Sequence, residues 1–296
     1  MRNSLLWVYE GQTEYWGEVL TSRAGLWSRA EALDSLAATA AYYDHMTGRS
    51  WRTLADTVND EIINPRRPMS WESWQRFEDY YSEALLVWLD VDTLIRARSH
   101  GARALDDFAR RFYAVNDGSY VPLTYRFGDV VAALNAVEPY DWAGFLNTRL
   151  YGHATGAPLD GIARGGYRLS YDETPNLYVA SHDAEHKAVD LSYSLGIVCD
   201  HEGVLKTVWW DSPAFKAGLT AGMQLIAIDG ASFDSDLLRD AVRLGRSTQA
   251  PLELLVRNNG RYRTVAVDYH GGLRYPHLVR NEQVPALLDA ILAPRG

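Results

Sequence analysis

Lysine is scarce in this sequence. Only Lys187, Lys206 and Lys216 occur among 296 residues, so the other basic residues are arginines. The formal net charge at pH 7 is −9. Binding to nucleic acid needs clustered lysine and arginine side chains that neutralise phosphates, and this charge balance therefore argues against a nucleic-acid partner.

Cysteine occurs once, at Cys199. A single cysteine excludes an internal disulfide framework and cannot form a thiolate metal site by itself. Cys199 ends an apolar run over residues 195–199, so we predict a small buried side chain rather than a nucleophile.

Long apolar segments are also missing. No stretch approaches the ~20 apolar residues that a membrane-spanning helix needs, and we expect no signal peptide at the beginning of the sequence. The sequence does not distinguish a bacterial cytoplasm from a periplasm as the compartment.

Several catalytic signatures are absent, including a Walker loop, a dinucleotide-binding glycine pattern, a G-x-S-x-G elbow and H-E-x-x-H. The reversed spelling H-x-x-E-H does occur, over residues 182–186. Metal binding would require both imidazoles on one helix face. Because the flanking residues have a β-like pattern, we interpret this motif as a chance match.

Hydrophobic periodicity divides the chain into two halves. Residues 1–152 have the 3.6-residue period of successive helices. Ser28 and Glu31 form a predicted capping box, and Asp141 is a predicted N-cap. We predict helices over the residue ranges 72–99, 105–115, 127–137 and 142–150, the first of which carries Tyr80 and Tyr81.

After Gly152 the pattern changes to short β-like segments. Residues 153–189 are predicted to form a β-rich connector that packs on the helical half. Residues 190–270 are predicted to form short strands and two short helices, with a hairpin that turns at Asn258-Asn259-Gly260. A final helix is expected over residues 283–292.

Two motifs carry a resemblance to a known family. The run W-x-x-E-G-x-T-x-Y places Trp7, Glu10, Gly11, Thr13 and Tyr15 as thermolysin-like (gluzincin) zinc peptidases do around their third metal ligand. Residues 212–230, which begin S-P-A-x-x-A-G-L and end I-D-G, are similar to the PDZ domains of bacterial proteases. Together they resemble the glycyl aminopeptidases, metallopeptidases with a PDZ domain near the C-terminus.

The resemblance implies a multidomain α and α+β architecture. Residues 1–152 would be the helical part of a thermolysin-like catalytic domain, 153–189 a connector, 190–270 a PDZ domain, and 271–296 a C-terminal helix and tail. We interpret the chain as the C-terminal portion of a zinc aminopeptidase that removes N-terminal glycine or alanine from peptides. Zinc is expected in the intact enzyme but not in this chain alone, which lacks the two histidines of H-E-x-x-H.

The resemblance also implies two catalytic-site residues. Glu10 would be the third zinc ligand, with Glu14 a weaker candidate one turn further along the helix. Tyr81 matches the second tyrosine of the family's Y-Y-x-K-G segment, whose hydroxyl stabilises the tetrahedral intermediate. In this sequence that segment ends in Glu83-Ala84 instead of Lys-Gly.

The PDZ resemblance implies a peptide-binding site. Ser194, Leu195, Gly196 and Ile197 would bind a peptide C-terminus through backbone N–H groups, and the next strand would pair with the peptide. Leu238 and Val242 would form the opposite wall. Loss of this binding, with the PDZ fold kept for packing only, is an equally weighted alternative.

Two broader questions stay open at this stage. The rival to the peptidase hypothesis is a non-catalytic PDZ protein that binds or scaffolds peptides. Trp7, Tyr9 and Trp16 flank Glu10, and we expect them to contribute to an exposed apolar face that promotes homo-oligomerisation.

Overall fold

The computed structural model describes residues 3–59, 71–113, 115–153 and 156–294. The first half of the chain is helical, and the second half combines short strands with short helices. The helices of the first half are α1 (Leu6–Arg23), α2 (Arg29–Asp44), α3 (Leu54–Thr57), α4 (Glu72–Gln75), α5 (Ser82–Arg98), α6 (Leu105–Phe112), α7 (Phe127–Val137) and α8 (Trp142–Tyr151). The later elements are α9 (Asp160–Arg164), β1 (Tyr167–Asp172), α10 (Leu177–His186), β2 (Ala188–Leu191), β3 (Ile197–Asp200), β4 (Leu205–Val208), α11 (Pro213–Lys216), β5 (Gln224–Ile228), β6 (Ala231–Ser232), α12 (Ser235–Leu244), β7 (Leu252–Asn258), β8 (Arg261–Val267), β9 (Tyr275–Arg280) and α13 (Leu287–Leu292).

Two predicted helix starts have the expected capping contacts. The Ser28 hydroxyl accepts a hydrogen bond from the Glu31 backbone N–H, and the Glu31 carboxylate accepts one from the Ser28 N–H at 2.7 Å. The Asp141 carboxylate accepts from the Gly144 N–H at 3.0 Å. These contacts satisfy N–H groups that have no acceptor within the helix. The helices predicted over 127–137 and 142–150 are confirmed, whereas the one predicted over 105–115 ends at Phe112.

The long helix predicted over residues 72–99 is wrong. The chain leaves the helix after Gln75 and re-enters it at Ser82, so Tyr80 and Tyr81 precede α5 instead of lying within it. Arg76 and Glu78 have φ angles of 53° and 47°, which no right-handed helix accommodates.

The helical core forms around α5. Its largest fully buried members are aromatic side chains of four different helices, Trp7, Tyr15, Trp88, Phe108 and Trp142. The C-terminal segment returns to this core, since Leu288, Ile291 and Leu292 are buried within it. The Ser22 hydroxyl donates to the Leu292 carbonyl at 2.9 Å. The final helix is shorter than predicted and begins at Leu287.

A second core lies among the strands. The sheets have the orders β2-β3-β4, β6-β5-β7-β8 and β1-β9, and all pairs are antiparallel. The predicted turn between β7 and β8 is confirmed, because Asn259 and Gly260 both have positive φ. Cys199 is fully buried in this core, as predicted, and burial raises the pKa of its thiol to about 12.

The connector contains two helices that the sequence did not predict, the short α9 and α10. β1 confirms the β-like pattern at 167–171, but residues 177–186 form α10. The Asn176 side chain caps α10 by accepting from the Val179 N–H at 3.0 Å, and α10 packs on α2. Among the described helices, none combines the length and the apolar character that crossing a bilayer demands.

Candidate functional site

Close packing of α1 on α5 forms the candidate site. Trp7 and Trp88 stack with ring centroids 5.6 Å apart, and the Trp88 indole N–H donates to the Trp7 carbonyl at 3.1 Å. Two turns further along α1, the Tyr15 hydroxyl donates to the buried Asp92 carboxylate at 2.6 Å. Two residues of the W-x-x-E-G-x-T-x-Y run therefore fasten one helix to the other.

Gly11 allows the two helices to approach. A Cβ atom built on Gly11 would lie 2.4 Å from the Cβ of Ala84, closer than two carbon atoms can come. The alanine that replaces glycine in the tyrosine segment therefore packs directly on the glycine that follows Glu10. This contact sets the separation of α1 and α5 at the point where Glu10 and Tyr81 face each other.

Glu10 and Tyr81 meet across the α1–α5 interface. Glu10 is half-buried in the second turn of α1, and its carboxylate lies close to the Tyr81 hydroxyl. Burial and then the hydrogen-bonding influence of Glu10 raise the pKa of Tyr81 well above its ordinary range. The hydroxyl therefore stays protonated and remains a hydrogen-bond donor at all physiological pH values.

A row of carboxylates continues along α1. Glu14 and Glu18 follow Glu10 at intervals of four residues, which places all three on one helix face. Burial and then repulsion from Glu10 raise the pKa of Glu14, which accepts a hydrogen bond from Ser82. Glu14 therefore lies near Glu10, on the helix face that its spacing predicts, and beside Ser82, the residue that follows Tyr81.

Glu18 was not identified from the sequence, although the four-residue spacing could have indicated it. Burial raises the pKa of Glu18 to about 7. The Ser35 hydroxyl donates to its Oε1 at 2.8 Å, while its buried Oε2 has no partner among the described residues. The row is therefore partly protonated at neutral pH.

A buried ionic network holds the segment before Tyr81. The Arg76 guanidinium, fully buried, donates to Asp79 at 2.6 Å and to Glu83, and Arg49 also binds Glu83. Burial lowers the pKa of Arg49 to about 10. The network compensates the left-handed backbone at Arg76 and Glu78 and fixes where Tyr81 points. The sequence did not predict that Arg49 and Arg76 are buried, because nothing local to an arginine indicates burial until its acidic partners are known.

The described residues do not complete a metal site. Glu10 offers one carboxylate, and the described part of the chain contains no group of three or more His, Cys, Asp or Glu side chains placed to hold a metal ion. A protein zinc site needs three or four such ligands. The described residues therefore do not supply the three or four protein ligands of a catalytic or structural zinc site around Glu10.

The H-x-x-E-H motif lies on a helix, contrary to the β-like context that we predicted. Residues 182–186 form the end of α10, and the rings of His182 and His186 stack with centroids 4.1 Å apart. The ground for interpreting the motif as a chance match is thereby removed.

The predicted peptide-binding strand is already paired on both edges. β3 pairs with β4 on one side and with β2 on the other, in the register that sets Leu191 opposite Ile197. Leu195 and Ile197 are buried in one cluster with Leu191, and this cluster also contains Leu238 and Val242 of α12. A peptide could therefore pair with β3 only after β2 leaves.

The backbone N–H groups of the loop before β3 have an internal acceptor. Ser194 and Gly196 both donate to the Leu191 carbonyl, at 3.1 and 3.0 Å. Gly196 has a φ of 81°, and a Cβ there would lie 2.1 Å from the Cβ of Ser212, so only glycine fits. The carbonyl at the end of β2 occupies the acceptor position that the resemblance assigns to a peptide carboxylate.

An apolar groove runs beside the carboxylate row. Tyr9, Trp16 and Leu20 of α1 line it together with Tyr113. Tyr9, Leu20 and Tyr113 are exposed, and Trp16 is half-buried. Trp7 does not contribute to this surface, contrary to expectation, because its stacking on Trp88 leaves only 1% of it exposed.

Comparison with known proteins confirms the family resemblance for the first part of the chain. Residues 1–87, which contain Glu10, Gly11 and Tyr81, match the family of M61 glycyl aminopeptidases. No curated protein shows a significant match to the sequence.

The fold is similar to that of a solved aminopeptidase. A crystal structure of an aminopeptidase N family protein from Idiomarina loihiensis matches with a TM-score of 0.71 at 18% identity, over 99% of this chain and 49% of that one. This chain thus spans about half the length of that protein, and the likeness concerns the mixed helical and sheet fold alone. The HtrA3 PDZ domain bound to a phage-derived ligand (FGRWV) matches 40% of this chain and 95% of its own length at 18% identity, with a TM-score of only 0.20.

Proposed function

We propose, from the premise that residues 1–87 have the sequence pattern of the M61 glycyl aminopeptidases, that this chain forms part of a zinc metallo-aminopeptidase. The observation that carries the proposal is the approach of Tyr81 to Glu10 across the α1–α5 interface, close enough for the Glu10 carboxylate to raise the pKa of the Tyr81 hydroxyl. Gly11, which follows Glu10 in the motif, allows α1 and α5 to come this close, because it packs directly on Ala84.

The proposal gives Glu10 and Tyr81 separate roles. Glu10 would supply one carboxylate ligand, and the other zinc ligands would come from residues outside this sequence. Tyr81 would donate a hydrogen bond from its hydroxyl to the carbonyl oxygen of the scissile peptide as negative charge develops there, and it would keep its proton. Its raised pKa supports this role, because a hydroxyl that stays protonated remains a donor throughout the reaction.

Substrate and peptide binding are further parts of the proposal. Release of N-terminal glycine or alanine rests on the family resemblance alone. Binding of a peptide C-terminus at Ser194, Leu195, Gly196 and Ile197 stays a prediction. It would require β2 to be displaced from β3.

Substitutions in the intact enzyme would test the two roles. Glu10→Gln should remove zinc and activity, because it replaces an anionic ligand with a neutral amide. Tyr81→Phe should keep zinc but lower kcat by about 10²- to 10³-fold, as expected when one donor to an oxyanion is lost. Metal analysis and the hydrolysis of alanyl and glycyl anilides would measure both effects.

Matched controls are available on the surface of the same chain. Glu253→Gln and Tyr120→Phe change exposed residues that lie outside α1 and α5, and they should leave zinc and kcat unchanged. Retention of zinc by Glu10→Gln would contradict the proposal. Equal loss of zinc in both site variants would show that Tyr81 is structural.

A further inference from the structure

Two histidines share one exposed face of α10. His182 and His186 are four residues apart, so successive turns of the helix carry them on the same side. Their ring centroids are 4.1 Å apart, the ring planes differ by 23°, and both residues are exposed. Metal–nitrogen distances are about 2.0–2.1 Å, so a single ion can join ring nitrogens up to about 4 Å apart. Because imidazole lone pairs lie in the ring planes, the stacked rings would have to rotate out of their parallel arrangement to share one ion, and both side chains are exposed and free to do so.

A hydrogen bond fixes the protonation pattern of one ring. His186 Nδ1 lies 3.0 Å from the carbonyl oxygen of His182. Since a carbonyl only accepts, Nδ1 must carry the proton, and the lone pair of the neutral ring lies on Nε2. Metal-binding histidines commonly donate their second ring N–H to a carbonyl or carboxylate in this way.

We propose that His182 and His186 form a surface site for a divalent transition-metal ion of the copper, nickel and zinc class. His186 would bind through Nε2 and His182 through a ring nitrogen on the same face, with water in the remaining positions. Imidazole is a preferred ligand for these metals, and affinity should follow the order Cu²⁺ above Ni²⁺ and Zn²⁺.

The neighbouring Asp183 does not share the exposed face of the two histidines. Its Oδ2 accepts from the Asp190 backbone N–H at 3.1 Å and forms an ion pair with Arg239, and its Oδ1 is buried without a hydrogen-bond partner among the described residues. No third His, Cys, Asp or Glu joins the pair among the residues that the structure describes. The coordination sphere is therefore open to solvent, unlike a structural zinc site.

Titration of the 296-residue chain with Cu²⁺, Ni²⁺ and Zn²⁺ would test this site. Calorimetry should show one copper ion bound more tightly than nickel or zinc. In NMR spectra, paramagnetic copper should broaden the imidazole signals of His182 and His186 before those of other histidines. His182→Gln and His186→Gln should each weaken copper binding by at least about ten- to a hundredfold, the loss that removal of even an outer-shell partner of a metal ligand causes.

Two controls make the outcome decisive. His100→Asn changes an exposed histidine in a left-handed backbone conformation that asparagine tolerates, and it should leave copper binding unchanged. Glu10→Gln should also leave it unchanged, which separates this site from the proposed peptidase function. Undiminished copper binding in both histidine variants, or first broadening at another histidine, would overturn the proposal. Backbone signals of residues 177–186 would show that α10 remains folded.

Discussion

Glu18 ionises at a cost to folding, because burial opposes its charged form. The unfolded carboxyl ionises near its ordinary pKa, whereas in the folded protein the pKa is about 7. Between these values the folded state binds more protons than the unfolded state. The contribution of Glu18 is therefore fully favourable below about pH 4.3, is lost as the pH rises to about 7, and stays constant above that.

Glu18→Gln should make the free energy of unfolding depend less on pH between about pH 4.3 and pH 7. The amide can still accept the hydrogen bond from Ser35 but carries no charge, so the variant should be more stable than the parent at pH 8, by up to about 3 kcal/mol. Denaturant unfolding between pH 4.5 and pH 8 would measure the difference. Glu253→Gln, at an exposed position, should keep the original profile. An unchanged profile for Glu18→Gln would show that the carboxylate is better solvated than the structure indicates.

Gly11→Ala should separate α1 from α5. The added methyl group would overlap Ala84, and overpacking of this kind typically costs about 1–3 kcal/mol. Ala84→Gly in the same chain should restore much of the loss, because it removes the opposing methyl group. A double-mutant cycle by denaturant unfolding would measure the coupling. Purely additive effects would contradict the packing described for this glycine.

At the scale of elements, the segment between α4 and α5 depends on buried charge. Glu83→Gln would leave Arg49 and Arg76 without their shared carboxylate, and breaking a buried pair of this kind typically costs about 3–5 kcal/mol. Glu83→Lys, the residue type of the family pattern, should be worse because it places a third cation beside the two arginines. Thermal unfolding would rank the three proteins. A lysine variant as stable as the parent would show that the arginines have other partners.

Local sequence patterns correctly predicted the caps and the turn, which are held by hydrogen bonds or backbone conformations within a few residues. The capping box at Ser28, the cap at Asp141 and the turn at Asn259-Gly260 all satisfy their own backbone within a few residues. The W-x-x-E-G-x-T-x-Y run also indicated how the candidate site is assembled. Trp7, Gly11 and Tyr15 of this run make the contacts that pack α1 on α5.

Elements that depend on distant partners were missed. The apolar period over residues 72–99 is continuous, and only the burial of Arg76 against Asp79 and Glu83 shows why the helix breaks. α10 is short, and its helical form follows from packing on α2, which no local pattern reveals. The pairing of β2 with β3 was likewise missed. The two strands form a hairpin whose connecting loop is five residues long, and the sequence of this loop does not reveal the register of the two strands.

At the scale of the whole molecule, the apolar groove on α1 predicts self-association. Leu20 is 53% exposed beside Tyr9 and Tyr113, and soluble proteins seldom leave contiguous apolar surface uncovered. Sedimentation at micromolar concentration should show a concentration-dependent oligomer that Leu20→Glu weakens. Leu26 is 77% exposed and does not line the groove, so Leu26→Glu should leave the oligomer unchanged. A monomer at all concentrations would contradict this prediction.

A peptide that binds to β3 by strand pairing would first have to displace β2. A tethered strand competes as if it were present at roughly millimolar concentration, because it never diffuses away. A free peptide of ordinary micromolar affinity would therefore lose most of its apparent affinity to the chain's own Leu191 and the strand that it ends. Occupancy of this sheet edge would then depend less on the peptide's sequence than on any event that pulls α10 and β2 away from the rest of the molecule.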